Sequence, residues 1–257
     1  MARIVSLANQ KGGVGKTTTA INLAASLAAC ERNILLVDLD PQANATSGVG
    51  LSKNDDKSIY AVLTDGMNIR QIIRETELPN FHVAPSSVDL VGAELELSDA
   101  MGREFYLRKA LAEVANDYHY ILVDSPPSLG LLTINGLTAA SSVLVPMQCE
   151  YFAIEGVAQL INTIDRVRDM LNPQLEIEGI ALTMYDERMN LARQVAEEVR
   201  THFGDKVYRT VIPRNVRLGE APSFGKPIML YDIRSRGSEA YIQLAKEFIQ
   251  RAETGRL

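Results

Sequence analysis

Eleven residues near the N-terminus, Asn9-Gln10-Lys11-Gly12-Gly13-Val14-Gly15-Lys16-Thr17-Thr18-Thr19, constrain this chain more than any other stretch. They follow a short apolar run, Ile4-Val5-Ser6-Leu7-Ala8, and open a helical pattern, Ala20 to Ala29. Strand, glycine-rich turn and helix, in that order, is the frame a phosphate-binding loop requires. Glycines 12, 13 and 15 let successive N–H groups converge on phosphate oxygens, and the helix adds the positive end of its dipole. In that frame Gly12 to Thr18, Val14 included, line a nucleotide. Lys16 reaches its β- and γ-phosphates, and the Thr17 hydroxyl completes a Mg²⁺ shell. The standard pattern places a glycine where this chain has Gln10, and Lys11 adds a second cation inside the loop.

That second cation carries a resemblance. Lys-Gly-Gly-x-Gly-Lys-Thr-Thr resembles the deviant Walker A motif of the ParA/MinD family of P-loop ATPases. In that family the early lysine, here Lys11, reaches across a dimer interface to phosphates held by the partner subunit. A cation supplied in trans stabilises charge developing on the γ-phosphoryl group, as an arginine finger does. The plain alternative is a solvated loop lysine.

Two further stretches fit the same chemistry. Ile34-Leu35-Leu36-Val37 reads as a strand buried on both faces, with Asp38 and Asp40 at its C-terminal end, where open α/β sheets gather ligands. The resemblance makes Asp-x-Asp-Pro-Gln a switch loop in which Asp40 engages the attacking water or the Mg²⁺ shell and is needed for hydrolysis. Asp38 suits a structural cap of the strand–loop junction better. Tyr120-Ile121-Leu122-Val123-Asp124 is a Walker B-type strand whose carboxylate, Asp124, meets Mg²⁺ directly or through water. The prolines at 126 and 127 then take the chain out of the sheet.

Strand patterns at Phe81 to Pro85, Ser142 to Pro146, Ile177 to Met184 and Lys206 to Ile212 alternate with helical ones. The helical patterns are Ser58 to Leu63, Ile69 to Arg74, Val88 to Leu97, Tyr106 to Ala115, Tyr151 to Leu171, Leu191 to Phe203 and Ser235 to Ala252. The expected fold is one α/β domain over 1–257, a P-loop NTPase of three α/β/α layers whose mostly parallel twisted sheet carries helices on both faces. No apolar run approaches a membrane span, and the chain enters its first strand too soon for a signal peptide. His82 has no evident partner and reads as a core or edge residue. Cys30 and Cys149, the only two cysteines, have no metal-ligand spacing and suit a reducing cytoplasm.

The net charge of −6 argues against a uniformly basic nucleic-acid binder, yet Asp186 to Arg236 carries ten Lys/Arg against seven Asp/Glu. In Soj-like members of the family, arginines of this region hold DNA without reading sequence. Arg188 and Arg217 fall at the matching positions, with Arg193, Arg214 and Lys226 unassigned. The Ile212-Pro213-Arg214-Asn215 segment resembles the family's adenine-side loop, where the proline region packs on the base and the asparagine bonds it; here these are Pro213 and Asn215.

The implied function is that of a ParA/Soj-type chromosome- or plasmid-partitioning ATPase. ATP·Mg²⁺ closes a homodimer that grips non-specific double-stranded nucleoid DNA. Weak hydrolysis to ADP, helped by a ParB-like centromere-binding protein, then opens it. The expected location is the cytoplasm, on the nucleoid, with no membrane partner. Weak turnover has a physical reason, because neither switch stretch offers an obvious strong general base beyond Asp40. The main alternative is a MinD-like membrane-associated regulator of the division site, which ends in a basic amphipathic helix. Here the tail from Leu244 to Leu257 is mixed in charge, with few large apolar groups after Ile249. An iron–sulfur reductase on the same loop needs paired cysteines that are missing, and an ATP-dependent synthetase needs a substrate pocket with no sequence signal.

Overall fold

The structure, a computed structural model, describes residues 1–151 and 153–254. Seven strands, β1 (Arg3–Leu7), β2 (Ile34–Asp38), β3 (Arg74–Glu75), β4 (Phe81–Ala84), β5 (Tyr120–Asp124), β6 (Ser142–Gln148) and β7 (Glu176–Thr183), form one sheet in the order β3-β4-β2-β5-β1-β6-β7. Every pairing is parallel except the antiparallel edge pair β3–β4.

The continuous apolar runs follow from burial on both sides. In β2, Ile34 and Leu36 face one cluster while Leu35 and Val37 face another. Onto the first face pack α1 (Lys16–Ala29) and the short α2 (Asn44–Gly48). Onto the other pack α3 (Ile59–Thr64), α4 (Leu90–Glu96), α5 (Tyr106–Ala112), α6 (Leu131–Ala139), α7 (Ala153–Met170) and α8 (Asn190–Phe203). The chain then returns to the first face with α9 (Val216–Glu220), α10 (Ile228–Tyr231) and α11 (Arg236–Thr254). There Tyr241, Leu244, Ala245 and Phe248 of α11 are buried, and Tyr241 shares a 3.1 Å hydrogen bond with Thr19 of α1. Gly50, after α2, and Gly225 touch backbone to backbone: a Cβ on Gly225 would stand 2.7 Å from the Gly50 Cα.

Register places the chemistry. Leu7 at the end of β1 and Asp38 at the end of β2 both pair with Asp124 at the end of β5. The loop after β1 and two carboxylates therefore meet at the carboxyl edge of adjacent central strands.

Several expectations are corrected. Lys206 to Ile212 alternates like a strand but does not join the sheet as one: it meets β7 at an isolated bridge, Val207 to Ile180, and through the Tyr208 and Ile212 N–H groups. The Arg209 and Thr210 N–H groups donate to the Glu247 carboxylate of α11 instead, at 2.8 and 2.9 Å. The helical reading of Ile69 to Arg74 shrinks to a 3-10 turn, Ile69–Gln71, because Arg74 and Glu75 join the sheet edge. The pattern at Tyr106 to Ala115 yields an α-helix only to Ala112. Helix α1 begins at Lys16, inside the loop motif, and α6 carried no recognised sequence pattern. Of the long expected helix at Tyr151 to Leu171, Phe152 lies outside the described residues, as do residues 255–257 of the tail.

Candidate nucleotide-binding site

The loop turns through two glycines with positive φ, Gly13 at 75° and Gly15 at 82°, a region closed to most side chains. Gly15 is the N-cap of α1, and no side chain caps the helix. The first-turn N–H groups of a fourteen-residue helix thus face the loop, a ready anion cradle. The loop is braced from the side, since the Thr183 hydroxyl at the end of β7 donates to the Val14 carbonyl at 2.7 Å. Asn9 bridges to the neighbouring strand, its Nδ2 donating to the Pro146 carbonyl at 2.7 Å while its Oδ1 accepts from the Lys11 N–H at 3.0 Å. Thr17 and Thr18 border a cavity of about 240 Å³ shared with Asn44 and Ser47 of α2.

Lys16 is only 7 % exposed and turns back over the loop, its Nζ 3.3 Å from the Lys11 carbonyl. Burial lowers its pKa, while the Asp124 and then the Asp40 carboxylates oppose that shift. Asp124 is fully buried, and neither of its carboxylate oxygens has a partner in full hydrogen-bond geometry, although the Thr17 hydroxyl stands close enough to act on it. Burial first, then the neighbouring Asp38 and Asp40 carboxylates, push its pKa well above the usual range, against the pull of Thr17 and Lys16.

Asp38 differs, being fully partnered. Its Oδ2 accepts from both the N–H and the hydroxyl of Thr46 at 2.7 Å, and its Oδ1 from the Asp40 N–H at 3.2 Å. Burial still raises it to about 6. Asp38 thus fastens the loop between β2 and α2, as its place at the junction suggested. Asp40, 8 % exposed, accepts from the Gln42 N–H at 2.9 Å. After Asp40 the loop passes through Ala43, the N-cap of α2, at φ 50°, a strained conformation for a residue with a Cβ.

These residues suit a magnesium ion bound with a triphosphate. A buried carboxylate whose charged form is disfavoured by its surroundings, with a threonine hydroxyl and a lysine beside it, is a centre that a bound cation would stabilise. Among the described residues no group of three or more His, Cys, Asp or Glu side chains forms a metal cage. Mg²⁺ uses one or two carboxylates and completes its shell with phosphate oxygens and water. Thr17 and Asp124 would hold it, with Asp40 close enough to join through water.

Lys11 lies apart from this centre. Its side chain is 42 % exposed and ion-paired with Glu150, just beyond β6. It faces outward, available to a second body. Pro213 and Asn215 sit on a segment bridged to Tyr185, which follows the Thr183 and Met184 contacts with the loop. Asn215 caps α9 through its Oδ1, which accepts from the Arg217 N–H at 2.8 Å, so its amide N–H₂ is left to donate elsewhere.

Of the two candidate DNA-contacting arginines, Arg188 lies in the loop after β7 and Arg217 on α9, in segments joined by the Tyr185–Pro213 bridge. Arg188 is 85 % exposed and makes a two-pronged contact with Asp186, at 2.9 and 2.7 Å. That hydrogen bonding, aided by Arg214, depresses the Asp186 carboxyl to about 2. Arg217 is half-exposed between Glu220, at 2.8 Å, and Asp232, at 3.6 Å. Of the unassigned residues, Arg193 donates to Asn190 and Lys226 pairs with Glu77. Sequence reasoning missed Glu150, Thr46 and Thr183, whose roles arise from contacts 139, 8 and 169 positions away. Only Thr46, eight residues past Asp38, left a local trace.

Cys30 is partly buried and Cys149 buried, both as free thiols, and burial pushes Cys149 up to about 11. No helix among the described residues is long and apolar enough to cross a membrane.

Comparison with known proteins places this geometry in a setting. A family described as an AAA domain matches residues 2–177. The chain is 56 % identical to the chromosome partitioning protein ParA of Myxococcus xanthus, covering 98 % of this chain and 89 % of that one. It is also 56 % identical to the sporulation initiation inhibitor protein Soj of Bacillus subtilis, over 96 % and 98 %. Among solved structures, cobyrinic acid a,c-diamide synthase from Mycobacterium smegmatis, with bound ADP and magnesium, superposes with a TM-score of 0.87 at 36 % identity, covering 99 % and 97 %.

Proposed function

The chain belongs to the ParA/Soj family of chromosome-partitioning ATPases, and on that premise we propose that it is an ATP-gated clamp on DNA. One observation carries the reading: the fully buried Asp124 carboxylate, without a partner in full hydrogen-bond geometry, stands beside Lys16 and Thr17 at the mouth of the loop. Such a centre calls for a magnesium-bound polyphosphate. The residues then divide the work. The loop N–H groups and Lys16 bind and orient the β- and γ-phosphates, and Asp40 positions water for in-line attack. When bound, Mg²⁺ neutralises charge on the transferring phosphoryl group.

Lys11 supplies the second half of the reading. Exposed and held only by a surface carboxylate, it is free to leave Glu150, because exposed ion pairs are worth about 0–1 kcal/mol. In a face-to-face dimer each Lys11 would serve the other subunit's nucleotide. The joined pair would double the number of arginines facing a duplex, so that affinity gained by avidity couples ATP to non-specific DNA. Hydrolysis, stimulated by a ParB-like partner bound at a centromere site, would then release it.

Size exclusion with ADP or ATP, repeated with random duplex DNA at two salt concentrations, tests this. The ATP form should elute as a dimer and bind duplex with a steep salt dependence; a solitary ATP form would contradict it. Asp40→Ala should hold the ATP dimer on DNA, and recovery of monomer alone under ATP would remove the switch role. Replacing both Arg188 and Arg217 by Ala should lower the log–log salt slope by about 2 per subunit, each phosphate contact contributing about 0.9. ATP-driven dimerisation should survive; its loss would make these arginines structural.

The membrane-bound alternative draws no support from the last helix. The apolar face of α11 is buried against the sheet, from Tyr241 to Phe248.

A further inference from the structure

Helix α4 departs from the pattern of a surface helix, which turns its apolar stripe inward. Leu90, Ala93 and the adjoining Leu97 do face the core. Yet Val88, Val91 and Leu95, at spacings of three and four, are 55, 73 and 79 % exposed, and Met101 in the next turn is 94 % exposed. Lone exposed apolar side chains are ordinary; a row along one face marks an interaction surface. Its surroundings are acidic. From Val88 to Glu104 the sequence has five carboxylates, Asp89, Glu94, Glu96, Asp99 and Glu104, and one cation, Arg103. That cation is paired with Glu104.

The same helix reaches towards the site. Glu94 accepts a hydrogen bond from the Leu132 N–H in the first turn of α6, at 3.3 Å. Its carboxylate lies so close over Gly130 that a Cβ there would stand 2.2 Å from Oε1. Helix α6 has no side-chain cap from its own N-cap residue, so a carboxylate from α4 serves instead. Residues 125–130, which follow Asp124, are therefore held at their far end by α4.

We propose that α4 is the docking surface for a basic, amphipathic helical segment of a partner protein, and that docking is relayed through Glu94 to the loop behind Asp124. Apolar anchors meet the stripe while lysines or arginines meet the rim, the complementarity that fixes a helix in an acidic groove. The rim repels anionic lipid and nucleic acid. The proposal rests on the ATPase reading above and names the chemistry of the stimulating partner.

The test uses a labelled fourteen-residue leucine/lysine peptide with leucines at helical spacing, and a leucine/glutamate peptide of the same pattern. The first should bind the full-length protein with ATP and raise turnover severalfold; the second should do neither. Val91→Lys with Leu95→Lys should weaken binding about tenfold, the size of a lost interface anchor, with basal turnover and melting temperature unchanged. Glu94→Gln should keep binding but lose most of the rise in kcat, with KM for ATP unmoved, which marks it as a positioning residue. Equal binding to wild type and the double-lysine variant would overturn the proposal. So would loss of ATP-driven dimerisation in that variant, which would assign the face to a second copy, or binding of wild type to phosphatidylglycerol vesicles through α4. A wild-type protein without basal ATP turnover would instead overturn the ATPase reading itself.

Discussion

Replacing Lys16 by alanine is expected to weaken ATP binding by at least about 100-fold, measured by calorimetry or by displacement of a fluorescent analogue. Charge-assisted hydrogen bonds are worth roughly 1.5–3 kcal/mol each, and a tenfold change in affinity is about 1.4 kcal/mol. On the proposed reading Lys16 makes two of them, to β- and γ-phosphate oxygens, from a buried position. Loss of both gives the expected factor. ADP should suffer less than ATP, because one of the two contacts is to the γ-phosphate. Micromolar ATP affinity in the variant would take the loop lysine out of the mechanism.

Asp124→Asn should produce opposite effects on activity and stability. Without a carboxylate to hold the ion, Mg²⁺-dependent hydrolysis should fall by about 100-fold or more. The nucleotide-free protein should become more stable, because the wild-type carboxyl must either take up a proton or stand charged in a buried setting, at a cost on the order of 1–3 kcal/mol, whereas Asn need do neither. For a chain of this size that means a melting temperature higher by roughly 2–4 °C per kcal/mol. The sign with pH follows from the raised pKa of Asp124. Above the ordinary carboxyl value of 3.8 the folded state retains a proton that the unfolded chain releases, so wild-type stability falls as pH rises through that window. Asp38, raised to about 6, adds to the decline in both proteins. The gap between variant and wild type should close near pH 4 and widen towards neutrality, and Mg·ADP should narrow it again. Equal melting curves across pH would show that Asp124 is not the electrostatic burden its surroundings imply.

The loop motif and the strands ending in Asp38 and Asp124 were legible in the sequence for one reason. Central parallel strands are buried on both faces, so they read as unbroken apolar runs whose polar residues appear only where the chain leaves the sheet. Helix α6 was not legible because it too is buried all round: Thr133, Asn135, Gly136 and Thr138 are inside with Leu132 and Leu137, leaving no periodic stripe. Lys206 to Ile212 misled for the converse reason. Its apolar residues Val207, Tyr208 and Ile212 are buried, but not in alternation, and its N–H groups at 209 and 210 are taken by Glu247, a partner that periodicity does not reveal. The intrachain pairings of Arg188 and Arg217 were within reach, since Asp186 and Glu220 lie two and three positions away. The Lys11–Glu150 pair was not, because nothing local links loop and strand end.

The contact between Gly50 and Gly225 has a mechanical consequence. Two segments 175 positions apart are pressed together with no side chain between them to act as a spring, so displacement at one is displacement at the other. The segment at Gly50 follows the loop that Asp38 fastens, and the segment at Gly225 follows the short helix bearing Arg217. A bulkier residue at either position would pry apart the loop after β2 and the segment after α9, and so uncouple the two.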